Sequence, residues 1–171
     1  MDTIALLLLS LLPCLVIAAG LRDLTTMTIP NSISAALILG FFPAAFVVGL
    51  PPMAVAVHVG VAAAALFVGM GLFAMRVIGG GDAKLMASAC LWLGMTGSGM
   101  FMLWTGVAGG LFCLMLIFAR TQVRPYVAGG PVWVHNLLEP KGDIPYGVAI
   151  AIGALMAFPS SALITTFATG H

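Results

Sequence analysis

Charged residues are scarce in this sequence of 171 residues, in which Lys, Arg, Asp and Glu together make up 6%. So few charges cannot cover the surface of a water-soluble domain, and the net charge of +1 offers no attraction for nucleic acid. Hydrophobic residues instead make up 62% of the chain and form runs of about 20 residues, the length of a helix that crosses a bilayer. The composition therefore predicts an all-α integral membrane protein in contact with lipid.

Cysteine is also rare, and its three copies are isolated. Cys14, Cys90 and Cys113 each lie in an apolar stretch, without a C-x-x-C pair that would indicate a zinc or redox site. We interpret them as small packing residues and expect neither a metal nor a cofactor.

Six apolar segments are separated by breaks that contain proline, glycine or charge. The first is interpreted as a transmembrane helix and not as a signal peptide, because no basic residue precedes it. The whole chain, 1–171, is expected to form one polytopic domain. The expected spans are residues 4–20, 33–50, 53–75, 83–95, 99–119 and 145–167, with a cytoplasmic loop at 120–144.

The basic residues fall only in the odd-numbered connections between these spans. Basic residues favour the cytoplasmic side of a membrane, so the odd-numbered connections should be cytoplasmic and both termini non-cytoplasmic. The residues concerned are Arg22, Arg76, Lys84, Arg120, Arg124 and Lys141.

This topology places Asp23 and Asp82 on the same side, each at the cytoplasmic end of a helix. Two carboxyls that converge cannot both ionise cheaply, so one keeps its proton and the pair can act as general acid and general base on a water molecule. Simpler uses exist, because Asp23 can be an interfacial charge beside Arg22 and Asp82 can cap the fourth helix. Asp143 shares the same side and is well placed to cap the last helix, with Pro145 in its first turn. The residues alone do not decide which two aspartates pair.

Two other classes of function remain open at this point. A small transporter component would use its aspartates to carry protons or cations, but it favours acids near mid-membrane and an internal repeat, whereas these acids lie at helix ends. A noncatalytic assembly subunit would tolerate replacement of both aspartates.

Three segments resemble landmarks of one enzyme family, the type IV prepilin peptidases. Residues 79–85, GGGDAKL, resemble the family's G-x-G-D-x-K-L motif. Asp23 followed by residues 28–31, TIPN, resembles its other aspartate site, and residues 144–151, IPYGVAIA, are similar to its last-helix segment. The landmarks occur in family order and at about the family spacing, so the resemblance covers nearly the whole chain.

The resemblance implies that Asp23 and Asp82 are the catalytic aspartates of a membrane endopeptidase that removes the short basic leader from type IV or Flp prepilins. It implies a multi-pass protein of the bacterial inner membrane with its active site facing the cytoplasm, and Asp143 as a structural cap. The implied partners are the prepilin substrate and the pilus-assembly machinery. The residues that would support the two motifs are Pro30, Asn31, Gly79, Gly81 and Lys84.

The sequence departs from the larger members of that family. Those members carry an extra cytoplasmic region with paired C-x-x-C motifs and also methylate the new N-terminus. No such insertion is present here, so we expect no methyltransferase activity. The chain is more similar to the compact branch that serves tight-adherence (Flp) pili.

Overall fold

The computed structural model describes residues 2–123, 131–140 and 142–169. Within these ranges every regular element is helical, which confirms the all-α class. The helices are α1 Asp2–Leu9, α2 Leu11–Thr26, α3 Asn31–Val48, α4 Pro52–Ala74, α5 Gly80–Phe118, a π-helical turn Ala119–Val123, α6 Val132–Leu137, α7 Tyr146–Ala157, a 3-10 turn Phe158–Ser160 and α8 Ala162–Thr169.

Five helical segments in the described part of the chain are long and apolar enough to cross a membrane. The first joins α1 to α2, the fourth continues α5 into the π-helical turn, and the last joins α7 to α8. They are Thr3–Thr26, Asn31–Val48, Pro52–Ala74, Gly80–Gln122 and Tyr146–Thr169.

The longest of these segments, α5, turns back on itself at Gly94, where a φ of 64° and a ψ of −165° interrupt the helix. Asp82 and Cys113 line the same cavity, although a continuous helix would place them about 45 Å apart. The two arms of α5 therefore lie side by side and correspond to the expected spans 83–95 and 99–119. The number of membrane crossings and the side on which the termini lie stay predictions.

The first arm of α5 is short, as its sequence indicates. Residues 80–93 form a helix of about 21 Å, whereas the hydrocarbon core of a bilayer is about 30 Å thick. The turn that ends this arm contacts α4 through His58, whose Nδ1 donates a hydrogen bond to the Leu91 carbonyl at 2.7 Å. A Cβ at position 94 would lie 2.5 Å from Nε2 of the same imidazole, so both backbone angle and space require glycine there. His58 is thus a buried residue that provides a hydrogen-bond donor for a backbone carbonyl at the end of the first arm of α5.

The tightly packed core lies between α2, α3, the first arm of α5 and α7. Trp92 is fully buried there, and its indole Nε1 donates to the Leu37 carbonyl at 2.8 Å. Small residues bring α2 and α7 together, since a Cβ on Gly20 would lie 3.2 Å from the Cβ of Ala151. This packing holds the end of α2 next to the start of α7.

Polar side chains gather at one end of the helix bundle. Lys84 reaches the first residue of α3 there, and Arg120 donates from Nε to the Leu137 carbonyl at 3.0 Å and from Nη2 to the Asp143 carbonyl at 2.8 Å. Arg22 lies one turn before the end of α2, and Arg76 follows the end of α4. The other basic residues of the predicted topology, Arg124 and Lys141, lie outside the described residues, as does part of the expected loop 120–144.

Candidate active site

Asp23 lies in the last turn of α2 and contacts the first turn of α7. Its side chain is 6% exposed, and its Oδ2 accepts a hydrogen bond from the Gly147 amide at 2.7 Å. A Cβ on Gly147 would lie 2.8 Å from the Cβ of Asp23, so only glycine allows this approach. The amides at the start of a helix favour a negative charge, and α7 therefore supplies a binding site for the Asp23 carboxylate.

Asp82 lies in the first turn of α5 and is half-buried. Its Oδ2 accepts a hydrogen bond from the Gly79 amide at 3.0 Å. Asp82 therefore does cap α5, as the simpler interpretation expected, but it uses only one carboxyl oxygen to do so. Each carboxylate oxygen offers two lone pairs, and the carboxyl therefore keeps acceptor capacity for another ligand. Capping and chemistry are compatible at this position.

The structure places Asp23 and Asp82 at the same end of the bundle, as the topology predicted, and beside the same cavities, as the resemblance implied. Both line a cavity of about 370 Å³ and a second of about 270 Å³, so the two carboxyls share the same space. Arg76 and Tyr146 lie on the wall of the larger cavity, and Thr28 on that of the smaller one. Each cavity is large enough to admit water molecules to the pair.

The residues expected to support the motifs connect the two aspartate segments. Pro30 is the N-cap residue of α3, and Asn31 begins that helix. Lys84 donates from Nζ to Oδ1 of Asn31 at 2.9 Å, a bond between α5 and α3 that the sequence did not predict. Close backbone contact adds to it, since a Cβ on Gly81 would lie 3.1 Å from the Cβ of Ile29.

The expectation that Asp143 caps the last helix is wrong. α7 begins at Tyr146, and its N-cap residue is Pro145, whose side chain makes no capping hydrogen bond. The Gly147 amide in its first turn is bonded by Asp23 from another helix instead. Asp143 is exposed and lies on the wall of the larger cavity with the carboxyl pair.

Two residues of this site were not singled out by the sequence analysis for a role. Gly147 supplies the amide that holds Asp23, and Arg76 lies on the cavity wall with a left-handed φ of 59°. The segment containing Gly147 was recognised as a landmark, but its contact with Asp23 joins residues far apart in the chain. A left-handed arginine has no sequence signature, because that conformation favours glycine or asparagine.

The arrangement offers acid–base chemistry without further groups. One oxygen of each carboxyl accepts a backbone N–H, and the described residues provide no hydrogen-bond partner for the other oxygen of either group. Two carboxyls in one cavity favour a state with a single shared negative charge. Such a pair can remove a proton from water and deliver a proton to a leaving group.

Comparison with known proteins identifies one family. The model of the type IV leader peptidase family matches residues 10–114, more than half of the chain, and the match includes Asp23 and Asp82. Asp143 and Gly147 lie beyond the matched range. No curated protein and no solved structure matches the chain.

Proposed function

The chain belongs to the type IV leader peptidase family, and from this premise we propose that it is a membrane-embedded aspartic endopeptidase that removes the basic leader from prepilins. Asp23 and Asp82 are its proposed catalytic residues. The observation that carries the proposal is the position of both carboxyls on the same cavities, each held through one oxygen by a backbone amide.

The proposed reaction uses water as the nucleophile. The ionised carboxyl of the pair takes a proton from the water while the water oxygen bonds to the scissile carbonyl carbon. The protonated carboxyl then gives its proton to the leaving nitrogen as the C–N bond breaks. The amides of Gly79 and Gly147 keep the two carboxyls in place throughout, because each bonds an oxygen that faces the start of a helix.

The proposed location is the inner membrane of a bacterium, with the carboxyl pair at the cytoplasmic face. The polar end of the bundle supports this orientation, because Arg76, Lys84 and Arg120 lie at the same end as the pair. A precursor would present its leader there while its apolar stem stays in the bilayer. The pilus-assembly machinery is the proposed recipient of the product.

We further propose that the enzyme belongs to the compact, Flp-type branch and acts as a peptidase alone. The three cysteines of the sequence support this, since none of them forms the C-x-x-C pairs of the bifunctional members. Methyl transfer to the processed pilin is therefore not expected.

Co-expression with a type IV or Flp prepilin tests the proposal. We expect a size shift of the pilin that corresponds to loss of the leader, and no shift with Asp23→Asn or Asp82→Asn enzyme present in the membrane at equal level. Full cleavage by either variant would exclude that residue. A proton- or cation-coupled transporter, the alternative function, would instead give ion flux in reconstituted vesicles without any change in the pilin.

A further inference from the structure

A third cavity begins at Asp82 and extends away from the polar end of the bundle. It has a volume of about 320 Å³ and lies between α4, the two arms of α5 and α7. We call it the stem groove. Along α7 its lining reaches Ile150, one turn beyond Tyr146, and along the second arm of α5 it reaches Thr105, which packs against Gly153. The groove therefore runs from Asp82 into the apolar part of the bundle. Its lining is almost entirely apolar.

The floor of the stem groove contains two glycines that internal packing does not require. Gly106 and Gly110 are four residues apart on the second arm of α5, so they lie on the same face, and both are exposed. A Cβ at either position would meet nothing within 4 Å. Gly109 differs, since its Cβ would touch the Cβ of Ala149 at 3.5 Å. The open pair has the G-x-x-x-G spacing that lets a second helix approach closely in a membrane.

A buried polar atom lies in the same wall. The hydroxyl of Thr105 is inaccessible and has no hydrogen-bond partner among the described residues. Buried polar groups in helix bundles normally have a partner, and threonine hydroxyls in membranes bond across helix contacts. This hydroxyl faces α7, since a Cβ on Gly153 would overlap it, so it belongs to the packing between α5 and α7, and the uncovered part of the wall is the surface at Gly106 and Gly110.

We propose that the stem groove binds the apolar helical stem of the membrane-embedded precursor, with the stem backbone seated over Gly106 and Gly110. This inference rests on the proposed function. The occupant follows from continuity, because Asp82 lines both the stem groove and the polar cavities. A chain cleaved at Asp82 therefore has a polar space for its leader and an apolar one for the segment after the scissile bond.

A second copy of the same chain fits the groove less well. A helix of another enzyme molecule seated over Gly110 would cover the approach to Asp82 from the lipid side, and the carboxyl pair would lose that access. A transient occupant that leaves after cleavage avoids this problem. The groove is therefore assigned to substrate and not to oligomerisation.

The test uses substitutions that fill the groove without a clash inside the enzyme. Gly106→Leu and Gly110→Leu place side chains where a Cβ meets nothing, and Gly60→Leu on α4 is the matched control, since its Cβ also meets nothing and it does not line the groove. We expect each groove variant to lower kcat/KM for a full-length prepilin in membranes by about tenfold or more, which corresponds to about 1.4 kcal/mol. Gly60→Leu should stay within about twofold.

Binding is measured separately with the Asp82→Asn enzyme and a precursor that carries a photoreactive residue in its stem. Crosslinking should fall by about fivefold or more when Gly110→Leu is added, and stay unchanged when Gly60→Leu is added. Gly110→Ala, a smaller change, should give an intermediate loss and guards against misfolding of the leucine variant. Normal cleavage and crosslinking by both groove variants would overturn the assignment. It would also be overturned if the enzyme self-associates and Gly110→Leu abolishes that association without changing cleavage. Wild-type enzyme that leaves every prepilin intact would instead contradict the proposed function.

Discussion

The carboxylate of Asp23 on α2 accepts a hydrogen bond from the amide of Gly147 on α7, at 2.7 Å and across 124 positions of the chain. This bond gives an aspartate of one helix the capping position of another. It explains why the Pro145-Tyr146-Gly147 segment belongs to the site, although it brings no charged side chain of its own. Several measurable consequences depend on this contact and on the others described above.

Gly147→Ala should impair the enzyme through Asp23. The new methyl would lie 2.8 Å from the Cβ of Asp23 and 2.9 Å from its Oδ2, so α7 or the carboxylate must move. We expect cleavage to fall by about tenfold or more and the free energy of unfolding to fall by about 1–3 kcal/mol, as for other overpacked sites. Gly71→Ala is the control, because its Cβ meets nothing. Equal activity of the two variants would show that the amide contact is not needed.

Asp23→Asn and Asp82→Asn should each reduce the rate of leader removal by about 1,000-fold or more, and the double variant should be little worse than either single one. This non-additivity is expected because two groups that act as one acid–base pair fail together. Asp143→Asn, at the third carboxyl of the larger cavity, should retain far more activity. Quantitative pilin immunoblots give the cleavage rates of the four variants relative to wild type. Losses that add in the double variant would argue against a shared proton.

The bond between Lys84 and Asn31 should couple α5 to α3. Lys84→Met and Asn31→Ala each remove one partner of a 2.9 Å hydrogen bond at an exposed site, so we expect losses of about 0.5–1.5 kcal/mol in the free energy of unfolding. The double variant should lose less than the sum of the single losses. Thermal or denaturant unfolding in detergent measures this cycle, and strictly additive losses would show that the two side chains are independent.

Gly94→Ala should be among the most destabilising changes on α5. Its backbone has a left-handed φ of 64°, and a methyl there would meet the imidazole of His58. In a His58→Ala background the collision is absent, so part of the loss should disappear, while the strain of a φ of 64° with a ψ of −165°, a combination essentially confined to glycine and costing about 1–3 kcal/mol, remains. Equal losses in both backgrounds would mean that the imidazole moves aside without cost.

The sequence predicted the part of this site that depends on charge and local pattern. Scarcity of charge predicted helices in a membrane, and the distribution of basic residues placed Asp23 and Asp82 at one end, where the structure also has them. The glycine cluster at 94–99 marked the division of α5, although the reversal itself depends on one backbone angle at Gly94.

The remainder depends on contacts between distant segments. Asp143 followed by Pro145 fits an N-cap aspartate with proline in the first helical turn, so Asp143 was a reasonable choice. The helix instead begins later, at Tyr146, and the packing of α2 against α7 gives the capping role to Asp23. The open surface at Gly106 and Gly110 is likewise not evident from the sequence, because glycines inside a span indicate close helix packing in general without showing which of them pack inside the protein.

Since α7 holds Asp23 in position, the two aspartates alone do not make an enzyme. The family match, residues 10–114, contains both acids and omits the helix that orients one of them. A fragment ending after α5 would keep the whole segment that the family model matches, and under the proposed function we expect it to be inactive until α7 is supplied as a separate polypeptide.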